Sequence, residues 1–198
     1  MPVINISEKN KRILVSIDDL YIGYLYSSDI MRLSLTDGME ISDALADEIR
    51  EKIFDRMFFK ALSYLERAEY CAEEIRFKLS HSDCSKEMMD GVIEKLYKNR
   101  YLDDKRYALS FLRSYSGKKG LRLMETELSY KNIPKEIIKE AVDEYLEDEG
   151  YSEDDAIKRI LDKKYKDADM SDPKIKSKVV AYLVRKGFPI DKVNNHLT

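Results

Sequence analysis

The chain has 198 residues, 43% hydrophobic and 37% charged, with 35 Lys/Arg against 38 Asp/Glu and a net charge of −3. Only seven Gly and four Pro accompany abundant Glu, Lys, Leu and Ile, a composition that favours helices over sheets and does not advertise a nucleic-acid binder globally. Cys71 and Cys84 form no CxxC pair, no run approaches about 18 apolar residues and the first residues lack a signal-peptide core. A disulfide framework, a zinc site and a membrane span are therefore excluded, and a cytoplasmic protein is expected.

In chain order, Ile13–Ile17 (ILVSI) and Leu20–Tyr26 (LYIGYLY) are rich in β-branched and aromatic residues and flank Asp18-Asp19, which predicts a β-hairpin. Thr36-Asp37-Gly38 marks a second turn. From Ser42, a favoured N-cap residue, the pattern turns helical, with Leu45, Ile49, Ile53 and Phe54 on one stripe.

Beyond residue 57 the chain repeats itself. Ala61-Leu62-Ser63-Tyr64-Leu65 returns 47 positions later as Ala108-Leu109-Ser110-Phe111-Leu112. A second helix carries Ile75 and Leu79, then Met124 and Leu128. A third carries Met88/Met89, Val92/Ile93 and Leu96/Tyr97, then Ile137/Ile138, Ala141/Val142 and Tyr145/Leu146. Apolar pairs at i, i+1, i+4 and i+5 make a stripe wide enough to pack against two neighbours. A weaker third copy runs through Ala156-Ile157, Ile160-Leu161, Val179, Leu183, Val193 and Leu197. The expected architecture is mainly α: an N-terminal β-hairpin with a linking helix over 1–57, then three-helix repeats over 58–103, 104–150 and 151–198. Tandem units of this kind form an elongated body.

Two junction segments are specific. Asn99-Arg100-Tyr101-Leu102-Asp103-Asp104-Lys105-Arg106-Tyr107-Ala108 resembles the "gyldDerfA" segment of the RecX family of regulatory proteins, and Tyr115–Leu128 (YSGKKGLRLMETEL) resembles that family's glycine-plus-basic segment. Ala61–Leu79 is similar to the first repeat of the family, and the hairpin-then-helix start is similar to the longer Gram-positive members. The resemblance implies a non-enzymatic, monomeric modulator of the RecA recombinase. Such a protein lies in the groove of the RecA–DNA filament, restrains RecA's recombinase, ATPase and coprotease activities in DNA repair and the SOS response, and uses no cofactor or metal. The chain departs from the family in having Lys118-Lys119-Gly120-Leu121-Arg122 where a run of arginines is usual, so the charge remains but the bidentate fork of arginine does not. It also has Glu69-Tyr70-Cys71 where a capping Ser or Thr is common, which puts the start of that helix in question.

Charge is segregated. Residues 91–140 carry a balance of +5, residues 141–155 hold eight acids and no base, and residues 156–198 carry +6. Lys98 and Arg100 close a helix, where cations complement the dipole. Arg113, Lys118, Lys119 and Arg122 bracket the Gly117…Gly120 loop and open the next helix, where the dipole does not favour them. That placement points to an anion, a partner's carboxylate or a phosphate. The spacing is not that of a nucleotide loop. The acidic stretch Glu140–Asp155 reads as a solvated helix end and linker, and His81 and His196 stand apart from any triad or metal set. Arg113, Lys118, Lys119, Arg122, Lys98 and Arg100 are the expected partner- or DNA-binding residues, with the RecA filament as partner and any contact to single- or double-stranded DNA secondary. A helical DNA-binding adaptor acting directly on nucleic acid is the alternative, and a scaffold for another partner is the third reading.

Overall fold

Asp18 and Asp19 both adopt left-handed backbone, with φ of 51° and 62°, the conformation a two-residue hairpin turn requires at both central positions. The expected hairpin is formed in the computed structural model, which describes residues 1–10 and 12–197; the last residue of the third expected repeat, Thr198, lies outside the described residues. Strand β2 (Arg12–Ile17) pairs with β3 (Leu20–Leu25) on one side and with β1 (Val3–Lys9) on the other; helix α1 (Ser27–Leu33) leads to β4 (Met39–Glu40), which pairs with β1. The antiparallel order is β3-β2-β1-β4. The protein is thus mostly helical with a small N-terminal sheet.

Helix α2 (Asp43–Leu65) starts at Ser42, whose Oγ accepts the Leu45 N–H at 3.2 Å, and runs unbroken through position 57. Its two halves bury different surroundings. Ala46, Ile49 and Ile53 pack on the sheet with Ile4, Val15, Ile17 and Leu25. Met57, Phe58 and Ala61 pack with Ile75 and Leu79 of α3 (Ala72–Ser80) and with Val92, Ile93 and Leu96 of α4 (Lys86–Lys98). Gly23 permits the first contact, because a Cβ there would lie 2.7 Å from Ile53 Cγ2. Cys71 itself caps α3, as its sulfur faces the N3 backbone N–H while Glu74 accepts the Cys71 N–H at 3.2 Å. This reciprocal arrangement is the one a Ser would provide. These elements form a compact unit over Met1–Asp103.

The second unit, Asp104–Thr198, holds α5 (Asp104–Tyr115), α6 (Leu121–Tyr130), α7 (Lys135–Glu149), α8 (Glu153–Lys164), α9 (Pro173–Arg185) and α10 (Ile190–Asn195). Ala108, Leu112, Met124, Leu128, Ala141 and Tyr145 are buried in the first three of these helices. Ala156, Ile157, Val179, Leu183, Phe188, Val193 and Leu197 form the core of the last three. The two trios meet where Gly120 approaches Gly187. The Gly120 N–H donates to the Lys186 carbonyl at 2.9 Å, and a Cβ on Gly120 would sit 2.4 Å from the Gly187 oxygen.

Candidate functional site

The basic segment begins where α5 ends. Gly117, at φ 70°, turns the chain, and Gly120 caps α6 without a side chain because the Gly187 backbone occupies the space. Four expected cations sit around this loop, and they behave differently. Lys118 is exposed, and its Nζ donates to the Ser114 carbonyl at 2.9 Å. Arg122 is exposed on the first turn of α6, beside a groove of about 520 Å³ whose walls include Leu123, Val184, Phe188 and Ile190. Arg113 pairs with Glu149 at 2.9 Å, both side chains about half exposed.

Lys119, expected as a partner-binding residue alongside Lys118 and Arg122, is instead largely covered. Its side chain is 16% exposed, its Nζ pairs with Glu127, and the amine lies 3.7 Å from the Tyr115 ring centroid. Six residues of helix bring Glu127 round to the loop side, and the pairing with a ring face lets the stem be covered while the charge stays compensated.

The helix N-terminus is not vacant either. Glu153, at the start of α8, accepts the Leu121 N–H at 3.3 Å through Oε1 and meets Lys192 at 3.3 Å through Oε2, with only 11% of its side chain exposed. The anion suited to that position is therefore supplied by the chain itself. Lys192 also meets Asp154 at 3.5 Å, and His196 meets Asp154 at 3.0 Å. Burial would lower the Lys192 pKa, but Glu153 and Asp154 outweigh it and hold the ammonium above its usual value. The bond from His196, aided by Lys192, holds the Asp154 carboxyl below the ordinary carboxylate range. Tyr151 donates its hydroxyl to the Lys119 carbonyl at 3.1 Å, and burial raises its phenol pKa further.

The acidic stretch is consequently more than a solvated helix end, since Glu149 and Glu153 are partners of the basic segment. Neither was legible as such, because sequence spacing cannot say which of several carboxylates faces a loop some thirty residues earlier. Lys118 and Arg122 meet no carboxylate among the described residues, so their charge remains directed at solvent. Lys98 and Arg100 belong to the first unit. Both are exposed at the end of α4, where Lys98 lies in the last turn and Arg100 adopts left-handed backbone at φ 59°. No cluster of three or more metal-ligating side chains occurs among the described residues. No described helix is long and apolar enough to cross a membrane.

Family models for RecX match two parts of the chain, the second three-helix domain over residues 103–142 and the third over residues 152–197. The chain is 31% identical to the regulatory protein RecX of Bacillus velezensis, covering 96% of this chain and 73% of that protein. It is 28% identical to the RecX of Streptococcus sanguinis over 95% of this chain and 72% of the relative, and 29% identical to that of Clostridium acetobutylicum over 96% and 90%. Among solved structures, a crystal structure of regulatory protein RecX is similar at a TM-score of 0.61 and 20% identity, covering 98% of this chain and 97% of the other. The RecX structure from Lactobacillus salivarius is similar at 0.52 and 23% identity, over 73% and 96%. These two structural likenesses concern the fold.

Proposed function

The chain belongs to the RecX family of regulatory proteins, and from that premise we propose that it acts by binding a RecA–DNA filament and restraining RecA's recombinase, ATPase and coprotease activities, performing no chemistry of its own. The partner surface includes Lys118 and Arg122, and the observation that carries this choice is the internal pairing around them. Glu127, Glu149 and Glu153 hold Lys119, Arg113 and the α6 N-terminus, which leaves Lys118 and Arg122 as the cations of the loop that meet no carboxylate among the described residues. Arg113 and Lys119 thus position the loop, while Lys118 and Arg122 meet acidic groups of the filament. Lys98 and Arg100, exposed in the first unit, supply a second contact to the same partner. The repeats 58–103, 104–150 and 151–198 are the successive contact modules on the 1–57 segment; the first boundary is one of packing role, because α2 runs through it. Any DNA contact made by these loop cations is secondary, in keeping with a net charge of −3.

The test is a Lys118→Glu/Arg122→Glu variant with Lys119 retained, assayed for inhibition of RecA-dependent ATP hydrolysis on single-stranded DNA. Reversing two contacting charges weakens inhibition about tenfold or more. An unchanged inhibition curve removes this surface from the interface.

A further inference from the structure

Within the second unit a cavity of about 240 Å³ opens where α5, α7 and α8 come together. Gly117 walls it just after the end of α5, Glu149 and Gly150 at the end of α7, and Asp155 and Arg159 from the first half of α8. The ring of Tyr145, from the last turns of α7, closes its inner side against Tyr151, with ring centroids 5.3 Å apart. The lining is almost wholly polar. A ligand held here would touch both the second and the third helix trio.

Several groups on this wall lack the partners that packing usually gives them. Tyr145 is only 2% exposed, yet its hydroxyl makes no hydrogen bond among the described residues. A phenol this buried ordinarily finds one. Asp155 and Arg159 stand at i, i+4 on α8, the spacing and order that favour an ion pair, but form none among the described residues. Arg159 turns instead toward the loop after α5, where a Cβ on Gly117 would lie 3.8 Å from its Nη1. Helix α7 ends at Gly150, at φ 55°, and no described backbone N–H caps the carbonyls of its last turn. Glu149 beside them gives Oε1 to Arg113 and makes no described bond through its other oxygen. The cavity therefore presents unmet groups of both signs: a guanidinium and a buried hydroxyl, and two carboxylates at the negative end of a helix.

We propose that this cavity binds a small zwitterion of the α-amino acid class, its carboxylate on Arg159 and the Tyr145 hydroxyl and its ammonium on Glu149, Asp155 and the α7 carbonyls. A ligand of one sign fits less well. An inorganic anion would face Glu149 and Asp155, and a metal cation would face Arg159. An apolar molecule would leave the polar wall desolvated and unbonded. The volume lies below the range of about 300–1,000 Å³ that takes drug-sized ligands, which limits the side chain to a short one. Arg159 and Asp155 are exposed residues, so the site opens to solvent on the α8 side. The bound ligand would also brace the loop that carries Lys118, because Gly117 lies against Arg159 and Tyr151 donates to the Lys119 carbonyl. The proposal does not rest on the regulator reading, since it concerns the chain alone.

The isotope-labelled full chain, without RecA, is titrated with L-alanine and followed by its amide NMR spectrum. Propionate and ethylammonium, which are alanine lacking one charge or the other, are titrated in parallel. L-alanine shifts the amides of Gly117, Gly150 and Ser152 saturably, and each single-charge analogue binds about tenfold or more weakly than it does. Arg159→Gln weakens L-alanine about tenfold or more and leaves ethylammonium as it was. Tyr145→Phe, which keeps the ring and removes the hydroxyl, weakens L-alanine by about two- to tenfold. Lys163→Gln, elsewhere on α8, keeps the wild-type affinity. Should Tyr145→Phe disturb the core, Arg159→Gln still decides, because that side chain is exposed and makes no described bond. The absence of any saturable shift with L-alanine overturns the proposal. So does either single-charge analogue binding as tightly as L-alanine, or wild-type affinity in Arg159→Gln.

Discussion

Replacing Glu153 by Gln tests whether the basic loop is held by the chain's own anion. The carboxylate accepts the Leu121 N–H and meets Lys192, each at 3.3 Å, with 11% of its side chain exposed. The amide keeps the shape and one acceptor but loses the charge. A hydrogen bond to a charged group contributes about 1.5–3 kcal/mol against about 0.5–1.5 for a neutral one, and an anion at a helix N-terminus adds about 0.3–1 kcal/mol. The two effects overlap in one interaction, so the expected loss is about 1–2 kcal/mol. With a urea dependence of about 2 kcal/mol/M, the midpoint of the transition reporting the second unit falls by about 0.5–1 M. Urea unfolding followed by far-ultraviolet circular dichroism reads this directly. Asp154→Asn serves as the comparison: its carboxylate is more exposed and makes no bond to the α6 amide, so its midpoint stays near wild type. An unchanged midpoint for Glu153→Gln would refute the idea that Glu153 fills the anion position.

Gly187→Ala places a Cβ 2.4 Å from Leu123 Cβ on a backbone at φ 89°, and the added strain and overlap destabilise the second unit by about 2–4 kcal/mol; a thermal midpoint at the wild-type value would contradict the close approach of α6 to the α9–α10 junction. Desolvation alone would raise the Asp29 carboxyl, but the Tyr26 N–H, Arg56 and Lys52 outweigh it and hold it below its ordinary range. Its stabilisation is therefore complete above about pH 4 and is lost as pH falls through the lower folded value. Asp29→Asn loses about 2 kcal/mol at neutral pH and shows a shallower decline below about pH 4 in a pH series of urea midpoints; parallel declines would contradict it. Burial pushes the Cys84 thiol up to about 12, so at pH 8 it reacts with a disulfide reagent about tenfold or more slower than the thiols of the unfolded chain, the smaller thiolate fraction outweighing its greater nucleophilicity; labelling of Cys84 in the native chain as fast as in the unfolded one would show that the site is not desolvated.

The parts legible in the sequence are those set by local chemistry. Asp18-Asp19 accepts left-handed backbone, Ser42 caps its helix, and the apolar positions from Ile75 to Leu197 mark buried faces, although Tyr97 and Leu146, the outer members of their pairs, are exposed and the stripe is narrower there than expected. Strand β1 escaped notice because its alternation is confined to Ile4 and Ile6 before Glu8 and Lys9, and β4 is two residues whose pairing with Val3 and Ile4 is a long-range event. Helix α1 lies in a segment whose anchor, Asp29, is a polar residue buried by Arg56 and Lys52 from α2. The candidate site was half legible. Residue type and the glycine spacing located the cations, but their partners depend on tertiary placement, which separated Lys119 from Lys118 and gave the α6 N-terminus to Glu153.

The most direct test of the regulator account is RecA-dependent ATP hydrolysis on single-stranded DNA, titrated with the purified chain. The account predicts that hydrolysis falls at amounts of the chain well below those of RecA. Hydrolysis undiminished at equimolar chain would contradict it.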